Sequence, residues 1–219
     1  MKLTLVETQA SLVLKEYKDR LETKACYPPI PVQSIAEICY GFSVRKQQFD
    51  DETSGKLLLK SKTILVNSRD PFVRQRFTIA HELGHLRIHT KEMDQKYREV
   101  IISRKHDAGR LEVEANAFAA ELLMPKRLVY EYLINSVVKE TGEDLQWLSK
   151  ALACIPDSQL SSFNLLLFNQ VFVDEIELLI SSVHEMARIF MVSEDTLSVR
   201  LKILGILDRL LKPPGRCLH

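Results

Sequence analysis

The sequence predicts an α+β fold, a small sheet packed on helices and followed by an all-helical region, and three observations predict it. Alternating and β-branched runs ("SVRKQQF", "KLLLKSKTILVNS") fall between residues 43 and 68, with helical spacing on either side. Pro125 stops a strong helix, and beyond it only helical spacing recurs. Hydrophobic residues make up 46% and charged residues 27% of the 219, the balance of a soluble globular chain with room for one large domain or two small ones.

In chain order, Leu12, Leu14, Tyr17 and Leu21 fall on one face and predict a helix over about residues 8–21. "CYPPIPVQ" breaks that pattern, and "VQSIAEICYGF" resumes as a short helix ended by Gly41. "SVRKQQF" reads as a strand. "DDETSG" reads as a turn that leads into a strand pair, or one bent strand, over "KLLLKSKTILVNS". The next helix runs from about Pro71 to His89, with Asp70 as its cap and Pro71 at its first position. "YREVIISR" predicts a further strand, "KHDAGR" a loop, and "LEVEANAFAAELLM" a helix. The expected division is a first domain over residues 1–125, a helical domain over 126–212 and a flexible tail over 213–219.

Lys plus Arg number 30 and Asp plus Glu 29, which argues against a surface made as a whole for polyanions. Cys26, Cys39, Cys154 and Cys217 form no CxxC pair and suit neither a zinc knuckle nor a disulfide framework. The N-terminal stretch lacks the apolar core of a secretory signal, and "FNLLLF" is too short to span a bilayer. The expectation is a cytoplasmic protein that does not enter a membrane.

The chemistry lies in His81-Glu82-Leu83-Gly84-His85, an HExxH pattern. On a helix, residues four apart differ by about 40° around the axis and one turn along it, so both imidazoles can reach one ion. Glu82 points about a quarter turn from His81, away from that ion but within reach of a water beside it. Zinc is the expected metal, though a two-histidine, one-carboxylate set would also take manganese or iron. Gly84 costs a helix about 0.5–1 kcal/mol relative to alanine, a cost that suits a close approach by another backbone or a substrate.

A catalytic zinc takes three protein ligands and keeps one open position. Glu112 and Glu114 both follow, about 200° apart on their helix, so both cannot face one ion. Glu112 shares its stripe with the small residues Ala115 and Ala119 and is the preferred ligand, with Glu114 as the fallback. Asn116, one turn after Glu112, is placed to hydrogen-bond His81 or His85 and fix its tautomer. His89 lies about 12 Å along the helix from His81, too far to share its ion, and reads as a cap or a packed histidine. His106 and Tyr97 are candidates for stabilising the developing oxyanion, and nothing in the sequence chooses between them.

"RQRFTIAHELGHLRIH" followed by "EVEANAFAAELLMP" closely resembles the ImmA/IrrE-type metallopeptidases, strongly over residues 70–125. The resemblance implies a gluzincin-like core with His81, His85 and Glu112 as zinc ligands and Glu82 as general base. It implies an endopeptidase that cleaves a DNA-binding repressor in a stress or mobile-element response. "MARIFMVSEDTLSVRLKILGIL" is similar to the helix-turn-helix-like segment that follows the peptidase core in many members. Here it spans about residues 183–204, with Ala187, Val192, Leu197 and Leu201 as its small core and Ser193 capping the second helix. That helix opens on Glu194 and Asp195 and offers only Arg200 and Lys202 later, which favours packing or substrate docking over DNA contact. Residues 126–172 form a longer stretch than the family pattern has, and read as a helical insertion. A second reading of the whole is a non-catalytic regulator that binds a repressor or DNA through the peptidase-like and helix-turn-helix-like regions. An intact Glu82 weighs against it, since binding alone has no need of a base.

Overall fold

In the first helix, α1 (Leu3–Arg20), Val6, Ala10, Val13 and Tyr17 are buried at helical spacing. The leucines expected to mark its inner face do not: Leu12 is 39% and Leu21 45% exposed. Tyr17 is buried as expected, while the rest of the stripe is built from the smaller Val6, Ala10 and Val13, and the element starts about five residues earlier than expected. The computed structural model describes residues 3–23, 26–89, 100–104, 109–141 and 176–205. The other elements are α2 (Val32–Tyr40), β1 (Ser43–Gln47), β2 (Thr53–Leu58), β3 (Thr63–Asn67), α3 (Phe72–Ile88), β4 (Val100–Arg104), α4 (Arg110–Leu123), α5 (Lys126–Thr141), α6 (Ile176–Phe190) and α7 (Glu194–Ile203). The chain divides into two compact units, Met1–Leu123 with Phe190–Val192, and Met124–Ile189 with Ser193–His219.

The first unit is mixed α+β. Its sheet has the order β1-β3-β2-β4, parallel between β1 and β3 and antiparallel elsewhere. β2 and β3 are the inner strands, and their side chains are mostly buried, as expected of strands paired on both sides. α3 packs on these two strands and on α2 and α4, and α1 packs on α4. This makes α3 the buried centre of the unit: every residue from Thr78 to His85 is buried. Arg87 ties the end of α3 to α1 by bonds to Gln9 Oε1 (2.8 Å) and Glu16 Oε1 (2.9 Å).

Two expectations are corrected. The "TSG" of the predicted turn belongs to β2, which begins at Thr53. A Cβ on Gly55 would run into Thr78 Cγ2 and stand 3.0 Å from Glu82 Oε1 and Leu65 O. The glycine is there because strand and helix nearly touch, not because the chain turns. At the start of α3 the cap is Pro71, not Asp70, and no side chain caps it. Asp70 lies one residue further back, where its carbonyl accepts Gln75 Nε2–H at 2.7 Å.

In the second unit, Val129, Tyr130 and Leu133 of α5 and Met186 and Ala187 of α6 are buried, with Leu197 and Leu201 of α7. Ser193 caps α7, its side chain accepting the N–H of Thr196 at 3.2 Å. Arg200 is only 2% exposed, and its Nε–H donates to Met124 O. One of the two cations considered for nucleic-acid contact is thus enclosed in this unit. Residues 142–172 of the expected insertion and the expected tail over 213–219 lie outside the described residues. Among the described residues no helix is long and apolar enough to cross a membrane.

Candidate metal centre

α3 and α4 approach each other at Gly84. A Cβ there would stand 3.1 Å from Phe118 Cδ1 and 3.2 Å from both Cα and O of Ala115. The missing side chain and the small residue opposite let the two backbones meet. One turn before Ala115 on α4 lies Glu112, so this crossing carries its carboxylate to the histidines of α3.

His81 Nε2 is 3.0 Å from Glu112 Oε2, His85 Nε2 is 3.1 Å from Glu112 Oε1, and the two Nε2 atoms are 3.0 Å apart. Ligand atoms of the three residues all lie within 4.8 Å of one another. Donors held about 2.0–2.1 Å from a tetrahedral ion are about 3.3 Å apart, so the 3.0–3.1 Å contacts of this triangle of side chains are close to the spacing of such a shell. The histidines are buried, and the Glu112 side chain keeps 13% exposure. The donor triangle is thus nearly enclosed, with its solvent access on the carboxylate side.

Electrostatics supports a cation at this point. Burial would raise the Glu112 pKa, but hydrogen bonding to His81 and His85 holds its carboxyl down at about 2. Burial likewise opposes a charge on His81, yet the bond to Glu112 and the charges of Glu82 and Glu112 outweigh it and lift that pKa. At His85 burial prevails over the bond to Glu112, and the charge of His81 adds to it, so the pKa falls. A carboxylate held ionised beside two imidazoles favours a positive charge at this point. The residues fit a divalent metal.

Around this triangle, Asn116 Oδ1 accepts from His81 Nδ1 at 2.9 Å. That fixes a hydrogen on Nδ1 and turns Nε2 toward Glu112. Glu82 is fully buried on the strand-facing side of α3, its carboxylate against β2 at Gly55. Glu114, the fallback ligand, is turned away from the triangle. It meets His89 Nε2 at 2.9 Å and Arg110 Nη1 at 3.1 and 3.2 Å. His89 in turn places Nδ1 at 3.1 Å from His85 Nδ1. Sequence reasoning about ligands alone passes over this chain of contacts, although two signals are in the sequence: histidines at 81, 85 and 89, each four apart, and the pair Arg110 and Glu114 at the same spacing. His106 and Tyr97 lie outside the described residues.

Residues 39–151 match the IrrE N-terminal-like peptidase domain. A protein of Bacillus phage phi105, "Uncharacterized immunity region protein 2", is 34% identical over 105 residues, which are 48% of this chain. The matched part spans 65% of that relative's length, a little under two thirds.

Proposed function

Since the chain belongs to the IrrE N-terminal-like peptidase family, we propose that it is a zinc-dependent endopeptidase whose ligands are His81, His85 and Glu112 and whose base is Glu82. The observation that carries this reading is the convergence of three side chains, two imidazoles and one carboxylate, from two helices, with contacts of 3.0–3.1 Å between them. When bound, the metal would polarise a scissile carbonyl and acidify a water molecule. Glu82 would take the proton of that water and pass it to the leaving amine. Its full burial would keep bulk water from competing for that proton, and its place one residue after His81 sets it about a quarter turn around α3 from that ligand. Asn116 orients His81 and thereby the donor atom it offers.

The substrate we propose is a DNA-binding repressor of the helix-turn-helix type, cut at one site. The phage relative supports this to the extent that its name places it in an immunity region. α6 and α7, in our reading a helix-turn-helix-like pair, would dock this substrate. The burial of Arg200 supports docking over DNA contact.

The decisive variant is Glu82→Gln. It should keep a full complement of zinc by elemental analysis, while cleavage of the candidate helix-turn-helix repressor that the wild type cuts, read by mass spectrometry, falls by about 10²–10⁴-fold. Cleavage at the wild-type rate would sink the mechanism. Tight repressor binding by the zinc-loaded wild type without fragments would favour a non-catalytic regulator.

A further inference from the structure

A pocket of about 230 Å³ opens beside the start of α3, lined by Arg76 and Ile79. His81 and His85 stand about 140° and 180° around that helix from Arg76, so the pocket lies on the side away from the metal centre. Phe72, one turn before Arg76, and Pro31 and Val32 at the start of α2 complete an apolar wall. Three hydrogen-bond donors border it. Arg76 is only 8% exposed. Its Nη2–H donates to Ile30 O at 2.8 Å and its Nε–H to Met191 O at 3.3 Å, both in the same unit as Arg76. Its Nη1 has no partner among the described residues. At the start of α2, Pro31 has no side chain that can cap. Val32 N–H bonds Ile30 O and Ile35 N–H bonds Pro31 O, but the backbone N–H groups of Gln33 and Ser34 have no partner among the described residues. Both of these residues line the pocket.

The charges at this place are unbalanced. Burial works against the Arg76 cation and lowers its pKa, and no carboxylate among the described residues opposes that effect. A buried guanidinium held by carbonyls alone is short of a counter-ion. Free N–H groups in the first turn of a helix add partial positive charge beside it. We propose that this pocket binds a small carboxylic acid with an apolar stem, its carboxylate on Arg76 Nη1 and the N–H groups of Gln33 and Ser34, its stem against Phe72 and Ile79. Carboxylate suits the site better than phosphate for two reasons. The wall is apolar, and the exposed Glu37 stands at the rim, where Gln33 Nε2–H donates to its Oε1 at 3.1 Å. Water screens Glu37 from a monoanion seated on the donors, whereas a second negative charge on the ligand adds repulsion with no further cation to meet it. The volume sets the size. Sites for drug-sized ligands take about 300–1,000 Å³, so this one holds a short acid. The inference is independent of the metal-centre reading, since the two sites share no residue.

The test titrates the full chain, labelled with nitrogen-15 and with carbon-13 at the isoleucine methyls, with 4-methylpentanoate. Saturable shifts are expected at the backbone N–H of Gln33 and Ser34, the Nε–H of Arg76 and the methyls of Ile79, with a dissociation constant on the order of a millimolar. The neutral analogue 4-methylpentanamide should bind about tenfold more weakly, because charge-assisted hydrogen bonds are lost, and inorganic phosphate should bind more weakly too. Arg76→Met should bring the acid down to the affinity of the amide. Phe72→Ala alters a side chain that is 54% exposed, so the fold survives it, and should weaken acid and amide alike by about 3–10-fold. Equal affinity for acid and amide in the wild type overturns the proposal without any variant, so a substitution that fails to fold cannot shield it. The absence of saturable shifts, shifts confined to the surroundings of His81 and His85, or phosphate bound more tightly than the acid overturn it as well. A short peptide ending in leucine that bound more tightly than the free acid would make the pocket a receptor for chain ends and overturn the small-molecule assignment.

Discussion

A single methyl group is enough to probe the proposed base. Alanine at position 55 would meet Thr78 Cγ2 and come to 3.0 Å from Glu82 Oε1, so the carboxylate must move aside. Glu82 is not among the ligands, so Gly55→Ala should leave zinc affinity near the wild-type value. Turnover should drop by up to about tenfold, since the carboxylate must give by a few tenths of an ångström and a misplacement near 1 Å costs about 10²-fold. Equal loss of metal and activity would mean that β2 supports the ligands rather than the base. At this scale the sequence was informative about types and silent about aim. The spacing of His81, Glu82 and His85 placed three groups on one helix, and the stripe of Glu112, Ala115 and Ala119 made one glutamate the better partner. That Glu114 would meet His89 was legible only as spacing on each helix, because the contact itself depends on the rotation of α4 against α3.

At the scale of elements, the α3–α4 contact governs the site. Gly84→Ala improves intrinsic helix propensity by about 1 kcal/mol. Its Cβ would nonetheless stand 3.2 Å from Cα and O of Ala115, and backbone cannot rotate out of the way as a side chain can. Overpacking of this kind costs about 1–3 kcal/mol. The expected outcome is a lower melting temperature in the metal-free protein together with weaker zinc binding, since moving α4 also moves Glu112. A variant more stable than wild type would show that α4 yields without strain. In the second unit, Arg200→Ala removes an enclosed guanidinium and its hydrogen bond to the carbonyl of Met124. It should cost about 2–3 kcal/mol in chemical denaturation, the scale of a hydrogen bond to a charged group. The element boundaries show what the sequence can carry. Glycine at 41 closes α2 as its pattern requires, whereas glycine at 55 was read as a turn because sequence has no term for how near a helix will pass.

For the molecule as a whole, an ion that binds only the folded chain stabilises it by mass action. At about 100 times its dissociation constant zinc should add about 2.7 kcal/mol, and chelation should lower the thermal midpoint accordingly. Differential scanning calorimetry with and without chelator checks this, and a midpoint indifferent to zinc would speak against an ion-binding fold. The mixed α+β character of the first unit was legible because alternating and helical runs alternate in the chain. The order β1-β3-β2-β4 was not, since pairing across the sheet depends on contacts far apart in sequence.

The placement of Arg110, Glu112, Glu114 and Asn116 within two turns of one helix has a kinetic consequence. The third donor, the Asn116 that bonds His81 and the Glu114 that meets His89 all travel together when α4 moves. Losing this helix from its seat would therefore undo the whole coordination sphere in one step, with no half-dismantled form along the way. Exchange of the ion with solution would then keep time with the local opening of α4, and the residence time of the metal would become a clock for that helix's motion.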